Sequence, residues 1–204
     1  GTVWDIVLEG GNTTLQQKID APGTVIDVDL EDNYKNGELT NIKQLAAKKK
    51  VICYFSAGSR ESWRLDDKKF NASDYGREMP EWKGEFWVDV KSANVRRIMK
   101  ERIEMAAKAG CHAVDPDNVD GYVSNLHQDG YKYDKSVYAE YVKYLAGVAE
   151  ANNLAIGLKN SMAIIPDVIK VIHFAVNEQC HENEECKDYR PATTAGLAVF
   201  NIEY

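Results

Sequence analysis

The chain has no apolar run approaching the ~18 residues that a membrane-spanning helix needs. Proline and glycine are sparse, at 5 and 14 residues, which excludes a collagenous or low-complexity chain. There is no basic cluster: 25 Lys and Arg face 32 Asp and Glu, for a net charge of −7. An acidic chain of this kind has no electrostatic grip on nucleic acid or on an anionic membrane, and neither is expected as a partner. An acidic cleft would instead suit a cationic or polyhydroxyl ligand. Phenylalanine is also scarce, with 5 residues against 11 Tyr and 4 Trp. Aromatics with a polar tip suit wet binding surfaces as well as half-buried core positions. What is present is a globular composition, 44% hydrophobic over 204 residues, which predicts one domain spanning 1–204 with a sizeable core.

The cysteines are few: Cys53, Cys111, Cys180 and Cys186. They allow three full pairings, and the spacing does not choose between them for Cys53 and Cys111. Cys180 and Cys186 flank a short polar loop, so a local disulfide is predicted there. A zinc site is not, because no C-x2-C pair and no second cluster exist. The triplets Asn12-Thr13-Thr14 and Asn71-Ala72-Ser73 are glycosylation acceptors, consistent with a secreted glycoprotein. The chain opens at Gly1 on a polar, strand-like stretch with no signal peptide, as expected of a mature or trimmed chain.

Eight short, β-branched or aromatic runs alternate with helical patterns: Val3–Leu8, Val25–Leu30, Val51–Phe55, Phe86–Val90, Ala113–Asp117, Ala155–Lys159, Phe174–Asn177 and Ala198–Ile202. Runs of this kind read as buried strands of a parallel sheet. Ser92 caps a helix with Val95, Ile98, Met99, Ile103 and Ala106 on one face, ended by Gly110. Asp134 caps another through Val148, Glu38–Lys50 forms a third, and Ser161 opens a fourth that restarts at Pro166. Eight strands alternating with helices predict an α/β fold, a compact (β/α)8 TIM-type barrel. A doubly wound sheet is the structural alternative. The connection Ser56–Glu85, after the third strand, is long and has little pattern. It leaves the end of the barrel that carries active sites, so a functional loop is expected.

The densest chemistry is Asp115-Pro116-Asp117-Asn118-Val119-Asp120-Gly121-Tyr122, at the C-terminal end of a strand. Clustered carboxylates need a cation, a shared proton or a polar network, which is also how catalytic acids are tuned. The calcium-loop pattern fails, because Val119 replaces a ligand and no downstream Glu fits. A second strand ends in Asn177-Glu178, followed by Cys180. Two carboxylates facing each other across a cleft are the minimal equipment of a glycosidase. A third strand ends in Lys159-Asn160, where a lysine could act as nucleophile, hydrogen-bond donor or ion-pair partner.

The segments Val51-Ile52-Cys53-Tyr54-Phe55-Ser56-Ala57-Gly58-Ser59, Glu61, Trp63-Arg64 and Trp82-Lys83-Gly84-Glu85-Phe86-Trp87-Val88-Asp89 resemble the endo-α-1,4-polygalactosaminidases of glycoside hydrolase family 114. So do the Asp115–Tyr122 stretch, Gly157-Leu158-Lys159-Asn160, Asn177-Glu178-Gln179-Cys180, Glu185-Cys186 and Glu203-Tyr204, in order over nearly the whole chain. The resemblance implies a (β/α)8 barrel and endo-cleavage of α-1,4-linked galactosamine polymers by one Asp and one Glu, matched here by Asp117 and Glu178. Family chains usually carry Asp where this chain has His112, which implies loss of a polar contact near the strand start.

The expected enzyme is a secreted, monomeric glycoside hydrolase acting on a galactosamine-rich polysaccharide, with no metal or cofactor. Asp117 and Glu178 are the expected catalytic pair. Asp115, Asn118, Asp120, Tyr122, Tyr54, Lys159, Asn160 and Asn177 are the expected substrate contacts, and Tyr54, Trp63, Trp82, Trp87 and Tyr122 are candidates for stacking on sugars. Two other readings are a metal-dependent hydrolase built on Asp115, Asp117 and Asp120, and a non-catalytic sugar-binding barrel.

Overall fold

A computed structural model describes residues 1–8, 13–34, 40–123 and 130–204. Seven parallel strands form one sheet: β1 (Trp4–Val7), β2 (Val25–Asp29), β3 (Lys50–Ser56), β7 (Ala113–Asp117), β8 (Ala155–Lys159), β9 (Phe174–Glu178) and β10 (Ala198–Ile202). They pair in that order, and the sheet curls until its outer strands meet through Trp4 and Phe200, whose rings lie 4.9 Å apart. The result is the expected α/β barrel, nearly closed. Alternate residues separate its two faces. Ile26, Val28, Val51, Cys53, Phe55, Val114, Ile156, Leu158 and Ala175 point outward into the core shared with the helices. Trp4, Ile6, Ile52, Ala113, Phe174, Val176, Phe200 and Ile202 fill the inside.

One of the eight predicted strands lies elsewhere. The Phe86–Val90 run forms β6 (Glu85–Val88), which pairs antiparallel with β4 (Ser59–Glu61) and β5 (Tyr75–Glu78) in a separate three-stranded sheet. β7 docks directly on β3, so the barrel sheet has no place for it. The aromatic face of β6 is instead used locally: Arg60 lies 4.2 Å from the Tyr75 ring centre, and Phe86 lies 5.5 Å from Tyr75. The stretch read as a long loop after the third strand carries β4, a 3-10 turn over Asp67–Lys69 and β5, joined by turns, before it enters β6.

The helices follow their caps. Ser92 Oγ accepts from the N–H groups of Asn94 and Val95 to start α3 (Ala93–Ala109), and Gly110 ends it at φ 90°. Asp134 accepts from the Ser136 N–H to start α4 (Lys135–Ala151). The third expected helix is α2 (Thr40–Ala46), and Glu38, its expected start, lies outside the described residues. After Ser161 a 3-10 turn runs into α5 (Ile165–Val168), with Pro166 in its first turn. The pattern misses α1 (Leu15–Asp20), opened by a Thr14–Gln17 capping box, and α6 (Arg190–Thr194). Both are too short to show a periodic face.

Two disulfides are present. Cys180–Cys186 closes the loop after β9 as expected, and Cys53–Cys111 ties β3 to the segment entering β7. His112 keeps a polar contact at the strand start, since its Nδ1 accepts from the Val51 N–H at 3.1 Å. Asn71 is exposed on a turn, and Asn12 lies outside the described residues. No helix among the described residues is long and apolar enough to cross a membrane.

Candidate active site

The parallel strands place their last inward residues at one end of the barrel. In register, Asp29 lies beside Tyr54, Tyr54 beside Asp115 and Ser56 beside Asp117. Lys159 ends β8 next to Val176, and Glu178 ends β9 next to Ile202. Carboxylates, a lysine and hydroxyls thus converge where barrel enzymes hold their chemistry.

The lower layer is buried and charged. Asp27 and Asp115 are fully buried, and Lys159 is only 1% exposed. Asp27 and Asp115 repel each other when both are charged, so this buried pair favours holding a proton. Burial, followed by the neighbouring Asp115 charge, pushes Asp27 well above the carboxylate range, so Asp27 holds that proton. Burial also raises Asp115, but the Lys159 ammonium 3.4 Å away opposes the shift. Burial works against the charge on Lys159, and attraction from Asp115, Asp117 and Glu178 outweighs it, so Lys159 remains protonated.

Above this floor stand the two carboxylates read as catalytic. Asp117 Oδ1 accepts from the Asn118 N–H at 2.7 Å, and Oδ2 accepts from the Tyr54 hydroxyl at 3.0 Å. Lys159 Nζ lies 3.9 Å from Oδ2. The groups that touch its two oxygens are an N–H, a hydroxyl and a lysine ammonium, while the acids Asp115, Asp120 and Glu85 lie close by. On Glu178, Oε2 accepts from Asn160 Nδ2 at 2.8 Å, and the Glu178 N–H donates to Asn160 Oδ1 at 3.0 Å. Its Oε1 is 2.6 Å from the Tyr204 hydroxyl. Asp120, half-buried in the turn after β7, is pushed up to about 7 by burial and then by the charges of Asp117 and Glu178.

Other expected contacts occupy different levels. Asp115, Lys159 and Asn177 are buried below the accessible rim, whereas Asn118, Asp120 and Asn160 are partly exposed on it. Tyr122 reaches Ser161 at 3.0 Å and packs 5.4 Å from Tyr138. Trp87 is only 5% exposed, which removes it as a stacking surface, while Trp63 and Trp82 are 54% and 62% exposed. The alternative reading of a metal site built on Asp115, Asp117 and Asp120 is not supported, because Lys159 occupies the charge position between the first two. Among the described residues one other metal-like group occurs, Cys180, His181 and Cys186, and its two sulfurs are joined in a disulfide.

Sequence reasoning missed an acidic wall contributed by β2 and the small sheet. Arg64 donates from Nη1 and Nη2 to Asp29 at 2.8 and 2.7 Å, and from Nε and Nη2 to Glu61 at 2.7 and 2.8 Å. Arg102 of α3 donates twice to Asp66 and once to the Ser56 carbonyl, anchoring the excursion to the barrel. Glu85 faces Ser59 and Asn118. A readable signal did exist: Val25-Ile26-Asp27-Val28-Asp29 alternates, and a parallel strand buried on both faces should not unless the acids point into the barrel.

Comparison with known proteins agrees with this geometry. Aspergillus fumigatus Ega3, solved in complex with galactosamine, is 43% identical over 100% of this chain and 77% of its own, with a TM-score of 0.89. The glycoside hydrolase domain of PelA from Pseudomonas aeruginosa shares the fold at 11% identity, covering 99% of this chain and 83% of its own, with a TM-score of 0.74. Sucrose 6F-phosphate phosphorylase from Thermoanaerobacter thermosaccharolyticum shares it more distantly, at 10% identity over 87% of this chain and 58% of its own, with a TM-score of 0.59. A search of curated proteins gives no match. The profile of glycoside-hydrolase family GH114 matches residues 1–204, and with these carboxylates at the barrel mouth the chain belongs to that family of glycoside hydrolases.

Proposed function

We propose that the enzyme cleaves α-1,4-linked, galactosamine-rich polysaccharide within the chain, by a retaining mechanism in which Asp117 is the nucleophile and Glu178 the acid/base. The observation that carries this is the contrast between the two carboxyl environments. Asp117 accepts from the Asn118 N–H and the Tyr54 hydroxyl and lies 3.9 Å from Lys159, contacts that hold both of its oxygens in place. Glu178 meets Tyr204, whose hydroxyl can donate to the carboxylate or turn to accept from the acid. That reversibility suits a group that gains and loses a proton in each turnover.

In the first step Asp117 attacks the anomeric carbon while Glu178 gives its proton to the departing glycosidic oxygen. In the second, Glu178 takes a proton from water, which attacks the same carbon and releases Asp117. An ammonium sugar suits the acidic mouth, where Asp120 joins Asp117 and Glu178. The galactosamine bound by Ega3 is a unit of this kind. Exposed Trp63 and Trp82 offer faces for outer sugar units through stacking and cation–π contact. Two disulfides support action outside the cell.

The test is hydrolysis of partly deacetylated galactosaminogalactan. The wild-type enzyme should release a ladder of oligomers, cut deacetylated regions in preference to acetylated ones, and lose affinity with added salt. Asp117→Asn and Glu178→Gln should each lose about 10²–10⁴-fold in turnover or more while remaining folded. Azide should restore turnover to Glu178→Gln on an activated aryl glycoside, with retained stereochemistry, and should not rescue Asp117→Asn. Full activity of either variant on the polymer would remove its residue from the pair, and an inverted product would exclude the covalent step.

A further inference from the structure

Asn118 sits in a conformation that its surroundings must hold. Its φ is 60°, in the left-handed region that asparagine enters more readily than other residues with a side chain. The turn before it is clamped, because the Asp117 carbonyl accepts from the Ala57 N–H at 2.9 Å and the Gly58 N–H at 3.0 Å. Gly58 is pressed so close that a Cβ there would lie 1.6 Å from the Asn118 carbonyl oxygen. This twist delivers the Asn118 N–H to Asp117 Oδ1.

The Asn118 side chain is held as well. Its Nδ2 donates to Ser56 Oγ at 2.8 Å and to Glu85 Oε1 at 3.3 Å. Ser56 and Ser59 share a hydrogen bond, and Ser59 donates to the same Glu85 oxygen. The donors account for themselves in one direction: Asn118 to Ser56, Ser56 to Ser59, Ser59 to Glu85, with the second amide hydrogen of Asn118 also directed to Glu85. Glu85 Oε1 is where both branches end. The far end of this network is buried, with Ser56 and Ser59 fully buried and Glu85 6% exposed, while Asn118 itself stands partly exposed at the rim. A carboxyl removed from water on a strand outside the barrel sheet, bonded to the residue next to Asp117, calls for a role.

We propose that Glu85 is a positioning residue for Asp117: it anchors the Ser59–Ser56–Asn118 hydrogen bonds and through Asn118 fixes the N–H that orients the Asp117 carboxylate. This rests on the role assigned above to Asp117. The charged and titratable groups facing Glu85 are Glu61 of β4, Arg64 of the following turn, Tyr54 of β3 and Asp117 of β7. Burial, with Glu61 and Asp117 adding to it against Ser59 and Arg64, pushes Glu85 up to about 7. Ionisation of Glu85 near neutrality then places a new negative charge beside the nucleophile, so the wild-type pH profile should carry a limb there.

The experiment is steady-state kinetics on galactosamine oligosaccharides across pH, for Glu85→Leu, Glu85→Gln and each combined with Asp117→Asn. Glu85→Leu removes the acceptor and should lower kcat about 100-fold with KM changed by less than about threefold, as expected for misplacement of a reacting group. Glu85→Gln keeps an oxygen in the place of Oε1. It should recover to within about tenfold of wild type and lose the limb near neutrality. In the Asp117→Asn background Glu85→Leu should add no further loss, because the carboxylate it positions is already gone. The proposal fails if Glu85→Leu keeps kcat within about twofold, if Leu and Gln are equally impaired, or if losses add in the double variant. Should Glu85→Leu not fold, the Gln variant decides: an unchanged neutral limb overturns the proposal. Full activity of Asp117→Asn alone would instead bring down the nucleophile assignment, whatever Glu85 does.

Discussion

The two ends of the barrel are built from the same strands and do opposite work. Along β7 the inward residue is Ala113 at the base, then Asp115, then Asp117 at the rim. Along β9 it is Phe174, Val176, then Glu178. Two residues, about 6.6 Å of strand, separate an apolar plug from a charged floor. The base is closed by Trp4, Ile6, Phe174 and Phe200, and gains from removing apolar surface from water. The rim holds carboxylates in places that disfavour their charge and keeps them there with Lys159, shared protons and donor groups. The base stabilises the molecule, and the rim uses some of that stability to hold a reactive arrangement.

Lys159→Met should break the comparison most sharply at the rim. It leaves Asp115 and Asp117 without their cation and should destabilise by about 3–5 kcal/mol at pH 8, since one buried partner is removed. Activity should fall as well, because Asp117 loses the cation 3.9 Å from its Oδ2 that helps to hold it in place. The stability deficit should shrink toward pH 5. With Lys159 gone, the folded-state affinity of Asp115 for protons rises further, so the folded protein binds more protons than the unfolded one and gains stability as pH falls. Urea unfolding of both proteins at pH 5 and pH 8 checks the sign. A deficit that grows in acid would mean that the freed carboxyls are not the cause.

The disulfides offer the same contrast one step smaller. Cys53–Cys111 spans 58 residues and braces the β3–β7 frame, so replacing both cysteines with serine should cost about 4 kcal/mol in the chain-entropy model. Cys180–Cys186 spans 6 residues beside Glu178, and its loss should cost about 2 kcal/mol. The expected order of activity per folded molecule is the reverse, with the rim loop losing more. Equal activity loss in both pairs, measured below their melting temperatures, would show that the loop after Glu178 needs no brace.

Much of this arrangement was legible in the sequence because five of the barrel strands, β2, β3, β7, β8 and β9, end by exchanging an apolar residue for a polar one. That exchange marks Asp117, Lys159 and Asn177-Glu178 at the mouth before any coordinate is known. Ser92 with Gly110, and the Asp134 cap, delimit two long helices for the same local reason. The pairing of Phe86 is set instead by Arg60 and Tyr75, contacts that a short apolar run does not reveal, and so a strand of the small sheet reads as a barrel strand. Asp27 and Asp29 escaped notice because a lone acid inside a strand looks solvated until register turns it inward, and Glu85 appeared only within a resembling segment, with no role attached to it. Tyr204 has no pattern around it, and its reach to Glu178 is a tertiary fact.

At the base, Gly157→Ala tests packing alone. A Cβ at Gly157 would sit 2.4 Å from Phe174 Cε2, and Phe174 is wedged among Phe200 and the other plug residues. The overpacked variant should lose about 1–3 kcal/mol. Its kcat and KM should stay close to wild type at low temperature, because Lys159 lies two residues further along β8 and the charged floor is unchanged. A drop in urea midpoint with unaltered kinetics would confirm the division between base and rim. A loss of kcat in a folded variant would show that the plug sets the height of Lys159.

The smallest expected effect also belongs to the base, where His112 contrasts with the acids above it. Its Nδ1 accepts from the Val51 N–H, so the contact exists only while that nitrogen carries a lone pair. Burial, and then the nearby Lys50 charge, hold the imidazole below its ordinary 6.5. A lowered folded-state value means that the unfolded chain binds the proton more readily. The His112 contribution is therefore complete above about pH 6.5 and is lost as pH falls through the folded value. Asp27, Asp115, Asp120 and Glu85 are shifted upward and push stability the other way over the same range. The two trends oppose each other in the whole protein, and a substitution separates them. His112→Gln, which can still present an oxygen to the Val51 N–H, should leave stability within about 1 kcal/mol of wild type at pH 7.5. Relative to wild type it should gain stability between pH 6.5 and pH 5, because the proton-sensitive acceptor is gone. Parallel curves for the two proteins across that range would show that the base contributes nothing to the acid response and that the carboxyls of the rim carry all of it.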